Sequence, residues 1–115
     1  MNNLDTLKLK AQHLVNHFNS GNYTLVIRET TTLLKKIPNN AFLLNLLGSC
    51  YQKIGFFEVA EKNFLQVVQS YPNNLAAMNN LANTYKDMLR FSEAENYYKN
   101  ILKIDPNYIN GIVNY

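Results

Sequence analysis

Apolar and small residues recur along the chain with the spacing of a helical face, at i, i+3, i+4 and i+7. Two neighbouring segments, residues 41–54 and 58–70, show this spacing most clearly. The residues on the predicted faces are Leu44, Leu47, Gly48 and Tyr51 in the first segment, and Ala60, Phe64, Val67 and Val68 in the second. The pattern predicts an amphipathic α-helix in each segment, with a turn between the two helices.

The pattern returns at a constant interval along the chain. Pro38, Pro72 and Pro106 are evenly spaced, and each proline opens a similar polar turn. Residues 41–74 and 75–108 form two full units on this period. Equivalent positions hold equivalent side chains, as in the pairs Leu47 and Leu81, Gly48 and Ala82, Tyr51 and Tyr85, Ala60 and Ala94, and Phe64 and Tyr98. Self-similarity at such a period is typical of proteins built from stacked units.

These residue types and their spacing resemble the tetratricopeptide repeat family. Its 34-residue helix–turn–helix unit has the length of the interval between the prolines, and it carries Leu, Gly and Tyr in the first helix, Ala and an aromatic residue in the second, and a closing Pro. Leu44 and Met78 stand where that family usually has a Trp. The resemblance implies an all-α fold, an α-solenoid of three helix–turn–helix units with six helices, plus a partial C-terminal helix.

The expected organisation follows from the period. We expect a single domain over residues 1–115, with units at about 4–40, 41–74 and 75–108 and the start of a further helix at 109–115. The helix pairs are expected near 4–19 and 24–36, 42–54 and 58–70, and 75–88 and 92–103.

The first unit departs most from the pattern. A strict register of the repeat period places two histidines, His13 and His17, at core positions. The apolar stripe of this segment instead puts Leu14 and Phe18 at those positions. The stripe comprises Leu4, Leu7, Ala11, Leu14 and Phe18. We therefore prefer a register in which the turn to Gly21 is one residue shorter, with the strict register as the alternative.

Residue types at the helix ends indicate how the turns are built. The Asn residues after the first two prolines suit the N-cap of the helix that follows. Gly21 and Gly55 mark the turn inside a unit. Leu89 stands there in the third unit, so that turn either avoids a left-handed residue or is mildly strained. The run Ser92–Glu95 is typical of a capping box that opens the last helix.

Charge and composition narrow the range of partners. The net charge of +3 comes from residues 1–40, which carry five basic and two acidic side chains. Nucleic-acid binders normally show a denser basic face with interleaved aromatic residues, so we expect no nucleic-acid ligand. The most apolar stretch, residues 41–51, is too short for a bilayer, which needs about 20 residues, and the amino terminus lacks the apolar part of a signal peptide. With its single cysteine, the chain is predicted to be soluble and cytoplasmic, without membrane contact.

One face of each predicted first helix lies off the core stripe and is rich in carboxamides. The family resemblance implies that the first helices line a concave groove. A carboxamide pairs with a peptide N–H and C=O together, so a row of them suits an extended chain. The candidate groove residues are Asn45, Ser49, Gln52, Asn79, Asn80, Asn83 and Lys86, and the preferred register of the first unit adds Gln12, Asn16 and Asn19. The alternative is a polar surface that merely reflects an asparagine-rich composition.

Two ligand-binding devices of the family are incompletely matched. The asparagine ladder of O-linked N-acetylglucosamine transferases corresponds to Asn80 and Asn114, and Leu46 interrupts it. Chaperone-tail-binding domains clamp a terminal carboxylate with Lys, Asn and Arg side chains. The matching positions hold Gln12, Asn16, Leu46, Ala76 and Asn80, and none of them is a cation. A charge-assisted grip on a carboxylate is therefore not expected.

No sequence pattern indicates catalysis, a cofactor or a metal. His13 and His17 are four residues apart, but nothing nearby in the sequence supplies a persuasive third ligand, so packing or surface roles are favoured over a metal site. Cys50 lies on a helix that should be packed, and no histidine is near it in sequence, which favours a small buried thiol over a nucleophile. We expect no catalytic, metal-binding or cofactor-binding residues.

The functional expectation is a non-enzymatic scaffold or adaptor module that binds a peptide or protein segment in its concave groove. The alternative is the N-terminal, substrate-presenting region of a larger transferase-type enzyme. RNA binding by a related repeat is disfavoured, because pentatricopeptide units run one residue longer and lack this proline. The chain stops early in a predicted helix, so we expect either a longer natural protein or self-association through the uncapped C-terminal end.

Overall fold

The chain folds into consecutive α-helices joined by short turns, and the computed structural model describes residues 3–108. The described helices are α1 (Asn3–Asn19), α2 (Tyr23–Leu34), α3 (Ala41–Lys53), α4 (Phe57–Ser70), α5 (Leu75–Asp87) and α6 (Phe91–Ile104). These six helices, with no strand among the described residues, confirm the all-α prediction. The further helix predicted at 109–115 lies outside the described residues.

The helices form three pairs that stack in chain order. Within a unit, α1 packs on α2, α3 on α4 and α5 on α6, and the second helix of each unit also packs on the first helix of the next. The fold is accordingly elongated, with extents of 44 × 27 × 23 Å. This stacking is the predicted α-solenoid. Among the described residues, no helix has the length and apolar character required to span a bilayer.

The turn inside each unit is built the same way three times. Two backbone hydrogen bonds close it, and the residues that form them in one unit lie one repeat period after those of the preceding unit. The first bond joins the N–H of Gly21, Gly55 and Leu89 to the carbonyl of Phe18, Gln52 and Lys86, at 3.0, 3.1 and 3.0 Å. The second joins the N–H of Asn22, Phe56 and Arg90 to the carbonyl of His17, Tyr51 and Tyr85, at 2.9, 2.8 and 2.8 Å.

The preferred register of the first unit, with a shorter turn, is therefore wrong. Because α1 is helical up to the turn, the strict register holds along its length, and Leu14 occupies the position of Gly48 and Ala82. Leu14 does lie in the core, only 1% exposed, as the apolar stripe indicated. The stripe placed the right side chain in the core and assigned it to the wrong repeat position.

An exchange of side-chain sizes explains the misassignment. In the later units a small residue on the first helix, Gly48 or Ala82, is paired with an aromatic residue on the second, Phe64 or Tyr98. In the first unit the large side chain, Leu14, is on the first helix, and Thr30 occupies the aromatic position. Both are buried, Leu14 at 1% and Thr30 at 0% exposed. The first unit thus keeps one large and one small buried side chain at these positions, while the sequence pattern looks shifted.

The helix ends confirm one capping prediction and correct another. The Asn40 side chain accepts a hydrogen bond from the N–H of Leu43, and Asn74 accepts one from Ala77, each at 2.9 Å, as expected of N-caps. The capping box at Ser92–Glu95 is wrong, because α6 begins at Phe91 and the residue at its N-cap is Arg90, without a side-chain capping bond.

A side chain of the predicted capping box has a different role. Glu93 forms an ion pair with the Arg90 guanidinium. The same guanidinium lies 3.4 Å from a carboxylate oxygen of Glu61 on α4, and it stacks 4.7 Å from the centre of the Tyr85 ring. The cation thus ties the α5–α6 turn to the preceding unit.

Replacement of Gly48 by Ala should destabilise the fold. A Cβ at this position would lie 2.6 Å from Cε1 of Phe64, closer than side chains tolerate. Overpacking costs about 1–3 kcal/mol, and the better helix propensity of Ala offsets up to about 1 kcal/mol of it. We expect urea unfolding to show a net loss of stability. In a Phe64→Leu background the same replacement should be neutral or stabilising; an equal loss in both backgrounds would contradict the steric argument.

Replacement of Leu89 by Gly should stabilise the fold. Leu89 adopts φ 63°, where Gly21 and Gly55 have φ 83° and 89°, and its side chain is 73% exposed. A residue with a Cβ loses about 1 kcal/mol in this conformation, and little packing is lost with an exposed side chain. We expect Leu89→Gly to raise the midpoint of thermal unfolding. Leu89→Ala is the control, since it removes the leucine but keeps the Cβ, and a similar gain from it would exclude relief of backbone strain.

Candidate functional site

The predicted groove residues come together on α3 and α5. Asn45, Ser49 and Gln52 follow one another at i, i+4 and i+7 on α3, and Asn79, Asn83 and Lys86 do the same on α5, with Asn80 beside them. Two contacts link α3 to α5 or to its N-cap residue, Asn74. The Gln52 amide donates to Asp87 at 3.1 Å, and the Asn45 amide lies 3.5 Å from the side-chain oxygen of Asn74. We call these seven predicted residues the amide strip.

Two members of the amide strip have a buried side-chain oxygen without a hydrogen-bond partner in the described part of the chain. The carboxamide oxygens of Asn45 and Asn79 are buried and have no hydrogen-bond partner within residues 3–108. The two residues occupy the same repeat position, and Asn79 is only 7% exposed. A buried acceptor without a partner costs about 1–3 kcal/mol. The repeat therefore places an unsatisfied acceptor at the same point of two successive first helices.

One predicted member is occupied by the protein itself. The side-chain oxygen of Asn83 accepts a hydrogen bond from the hydroxyl of Tyr98, which is part of the core. Burial also raises the pKa of the Tyr98 phenol, so this hydroxyl keeps its proton and remains a donor. Asn83 thus satisfies a buried polar group, and its amide N–H₂ is left for a ligand.

The remaining members are more open. Ser49 and Asn80 are half-buried, Lys86 is exposed, and none of the three side chains makes a hydrogen bond within residues 3–108. Their donors and acceptors are available without any rearrangement of the fold. Gln52 is half-buried and shares its amide with Asp87, so a ligand would compete with that contact.

The first unit does not extend the amide strip as predicted. In the strict register Gln12 and Asn16 correspond to Leu46 and Cys50, which are buried against the preceding unit. In the first unit these two amides are exposed and hydrogen-bonded to each other at 2.9 Å. Asn19 corresponds to the exposed Lys53 and likewise lies off the strip.

Three of the four first-unit residues that correspond to positions of the amide strip are apolar. They are Ala11, Val15 and Phe18, all half-buried, and the fourth is the exposed Gln12, which corresponds to Asn80 as well as to Leu46. Sequence reasoning missed the three apolar residues because it followed the hydrophobic stripe. The gap-free alignment of Gly21-Asn22-Tyr23 with the later turns was the signal that could have found them.

The strict register leaves the two family devices unmatched. The carboxylate-clamp positions of the first unit now hold Ala11 and Val15, and the later ones still hold Leu46, Ala76 and Asn80. None of these is a cation. The ladder position of the second unit is Leu46, which is 8% exposed and part of a core cluster.

The remaining candidates from the sequence are Cys50 and the two histidines, His13 and His17. Cys50 is fully buried, and burial raises the pKa of its thiol to about 11, so that almost no thiolate exists at neutral pH. The His13 and His17 rings meet edge to face with centroids 4.4 Å apart, and the nearest carboxylate oxygen to His13, on Glu29, is 3.9 Å away. Within the described part of the chain, no group of three His, Cys, Asp or Glu side chains is placed to hold a metal.

Solved structures with the same architecture are numerous. The first TPR domain of Spaghetti (RPAP3), bound to the HSP90 peptide SRMEEVD, has a TM-score of 0.83 at 21% identity and covers 90% of this chain and 82% of its own. The Arabidopsis OM64 TPR domain has a TM-score of 0.84 at 14% identity and covers 97% and 93%. A Thermobaculum terrenum O-GlcNAc transferase has a TM-score of 0.85 at 21% identity, and the match covers 94% of this chain but 21% of the transferase.

The sequence of the chain matches no curated protein but does match a family model. The family model described as tetratricopeptide repeat matches residues 39–107, more than half of the chain. The period, the repeated turn and this match agree, and the chain belongs to the tetratricopeptide repeat family.

Proposed function

We propose that the chain is a non-catalytic interaction module, one domain with units at about 4–40, 41–74 and 75–108, that binds an extended protein segment across the amide strip and acts as a scaffold or adaptor. The observation that carries the proposal is the side-by-side placement of the strip residues of α3 and α5, joined by the Gln52–Asp87 hydrogen bond. It puts amide and hydroxyl groups from two units within reach of a single bound segment. No nucleic acid or membrane has a part in this proposal, and we assign the module to the cytoplasm.

The chemistry of the amide strip suits a peptide backbone. Each carboxamide offers two donors and an acceptor, so it can pair with an N–H and a C=O of the same segment. Ser49 and Asn80 have such groups free. The unpaired oxygens of Asn45 and Asn79 lie on the same helix faces but are buried, so a backbone would pair with them only after a local rearrangement. Because these groups read the backbone rather than a side chain, we expect a modest dependence on the sequence of the ligand.

Similar structures support protein binding but not the same recognition. The RPAP3 domain was solved with an HSP90 peptide. The cations of a carboxylate clamp are absent from the matching positions of this chain, so a free C-terminus would have no charge-assisted partner there. An internal, extended segment is the ligand that fits the residues present.

A second candidate function is the substrate-presenting region of a larger transferase. The similarity to the Thermobaculum terrenum O-GlcNAc transferase favours it, although the match covers only 21% of that protein. A reading frame that continues into a catalytic domain would select this candidate, and the amide strip would then hold the substrate protein.

The amide strip is best tested through its open members. Ser49→Ala, Asn80→Ala and Lys86→Ala combined should weaken partner binding at least tenfold, because each lost hydrogen bond contributes about 0.5–1.5 kcal/mol. The measurement is titration of partners recovered with the wild-type protein, alongside circular dichroism for helicity. Asn83 is left in place because it accepts the hydrogen bond of the Tyr98 hydroxyl in the core.

A matched control uses comparable residue types on second helices. Lys62, Gln69 and Ser92 are exposed on α4 and α6, and their combined replacement by Ala should leave binding unchanged. Equal binding by wild type and the strip variant would remove the amide strip from consideration.

Self-association through the C-terminal end is the remaining part of the proposal. On α6, Phe91 is 59% and Ile104 is 44% exposed, which leaves apolar surface on the last described helix. We expect light scattering to show a concentration-dependent dimer that Ile104→Lys disperses, because burying an unpaired ammonium is unfavourable. A protein that stays monomeric at high concentration would exclude it.

A further inference from the structure

The joint between the second and third units is filled by a central leucine. Leu44 of α3 is 3% exposed and packs with Val67 of α4 and Ala77 of α5. Partly buried neighbours, among them Ala41 and Val68, complete this cluster. Met78, one repeat period after Leu44, is likewise buried at 4% exposed. The position is thus a core position in both later units.

The corresponding joint between the first and second units lacks this central side chain. Position 10, which corresponds to Leu44, holds Lys10, and its side chain is exposed. The neighbours keep their apolar character, since Leu33 and Leu43 stand where Val67 and Ala77 stand in the later joint. A cavity of about 230 Å³ remains there. Its apolar lining comprises Leu7, Ala11, Leu14, Leu33, Ile37 and Leu43.

The rim of this cavity is basic. Lys8 and Lys10 border it, and an adjoining cleft that shares Lys10, Leu14 and Leu33 is lined by Arg28 and Lys36 with a single carboxylate, Glu29. The excess positive charge of the chain lies in residues 1–40. Apolar side chains around the opening are also exposed, Leu7 at 45% and Phe42 at 42%.

We propose that this pocket receives one leucine-sized apolar side chain of a partner protein, from a segment with acidic residues on either side of it. The apolar lining selects the side chain, because its burial removes apolar surface from water on both partners. The lysines and Arg28 select the acidic flanks by charge complementarity. The volume favours a single side chain over a cofactor-sized molecule, for which pockets of about 300–1,000 Å³ are usual.

The pocket is separate from the amide strip. None of the seven strip residues lines it. Ala11 has the strip position of the first unit and also lines the cavity, so a partner could span both surfaces. The pocket can nevertheless be removed without touching the strip.

The decisive variant is Lys10→Leu, which restores the residue type that fills the later joint. The probe is a fluorescent heptapeptide with one leucine between two pairs of glutamates. We expect wild type to bind it, more weakly at high salt, and Lys10→Leu to lose at least about tenfold in affinity while its unfolding midpoint rises. A gain of stability with a loss of binding cannot be explained by damage to the fold.

The controls distinguish binding in the pocket from nonspecific charge attraction and from binding on the amide strip. Lys62→Leu makes the same change at an exposed position of α4 and should leave binding intact. Peptides in which alanine replaces the leucine, or lysine replaces the glutamates, should not bind to the wild-type protein. Unchanged peptide binding by Lys10→Leu, or no binding by wild type, overturns the proposal. Binding that is lost in the Ser49/Asn80/Lys86 variant but kept in Lys10→Leu would place the peptide on the amide strip and also overturn it. A wild-type dimer that Lys10→Leu disperses would show a second copy as the occupant and would likewise overturn it.

Discussion

The fold depends on one contact repeated in each unit, where the first and second helices cross. At such a crossing the side chains of the two helices must fit together without overlap, and a large side chain on one helix against a small one on the other meets this requirement. The second unit meets this constraint with Gly48 against Phe64 and leaves no room for even a methyl group on the glycine. The first unit meets it in reverse, with Leu14 on the first helix and Thr30 on the second. The size complementarity is kept in both, and which helix carries the large residue is free to vary.

The repeated turn gives equivalent residues of successive units equivalent positions. Because the same two hydrogen bonds close all three turns, the first and second helices are joined in the same way in each unit. Residues at a given repeat position therefore face the same way, which is why Asn45 and Asn79 coincide along the amide strip. The turn is kept even where its residue is unfavourable, since Leu89 adopts the left-handed conformation of its glycine counterparts. The backbone geometry of the turn is therefore more uniform than the residue types that occupy it.

The sequence predicted most of the fold, because prolines, caps and helical periodicity are local signals. It failed in the first unit, where a large and a small side chain are exchanged across a crossing and the stripe looks displaced. The family and the positions of the amide strip were also predictable from the period. What could not be predicted is how each amide is used, since the Asn83–Tyr98 bond and the unpaired oxygens of Asn45 and Asn79 depend on neighbours distant in sequence.

The first unit differs from the second at positions that are buried against a preceding unit. The positions that bury Leu46 and Cys50 in the second unit hold the exposed amides Gln12 and Asn16 in the first. Position 10 is different, because it faces the joint with the second unit, where an apolar side chain would be stabilising. A lysine at that point forgoes packing that the same fold obtains with Leu44. A requirement for an open, basic-rimmed pocket explains why this joint stays unfilled.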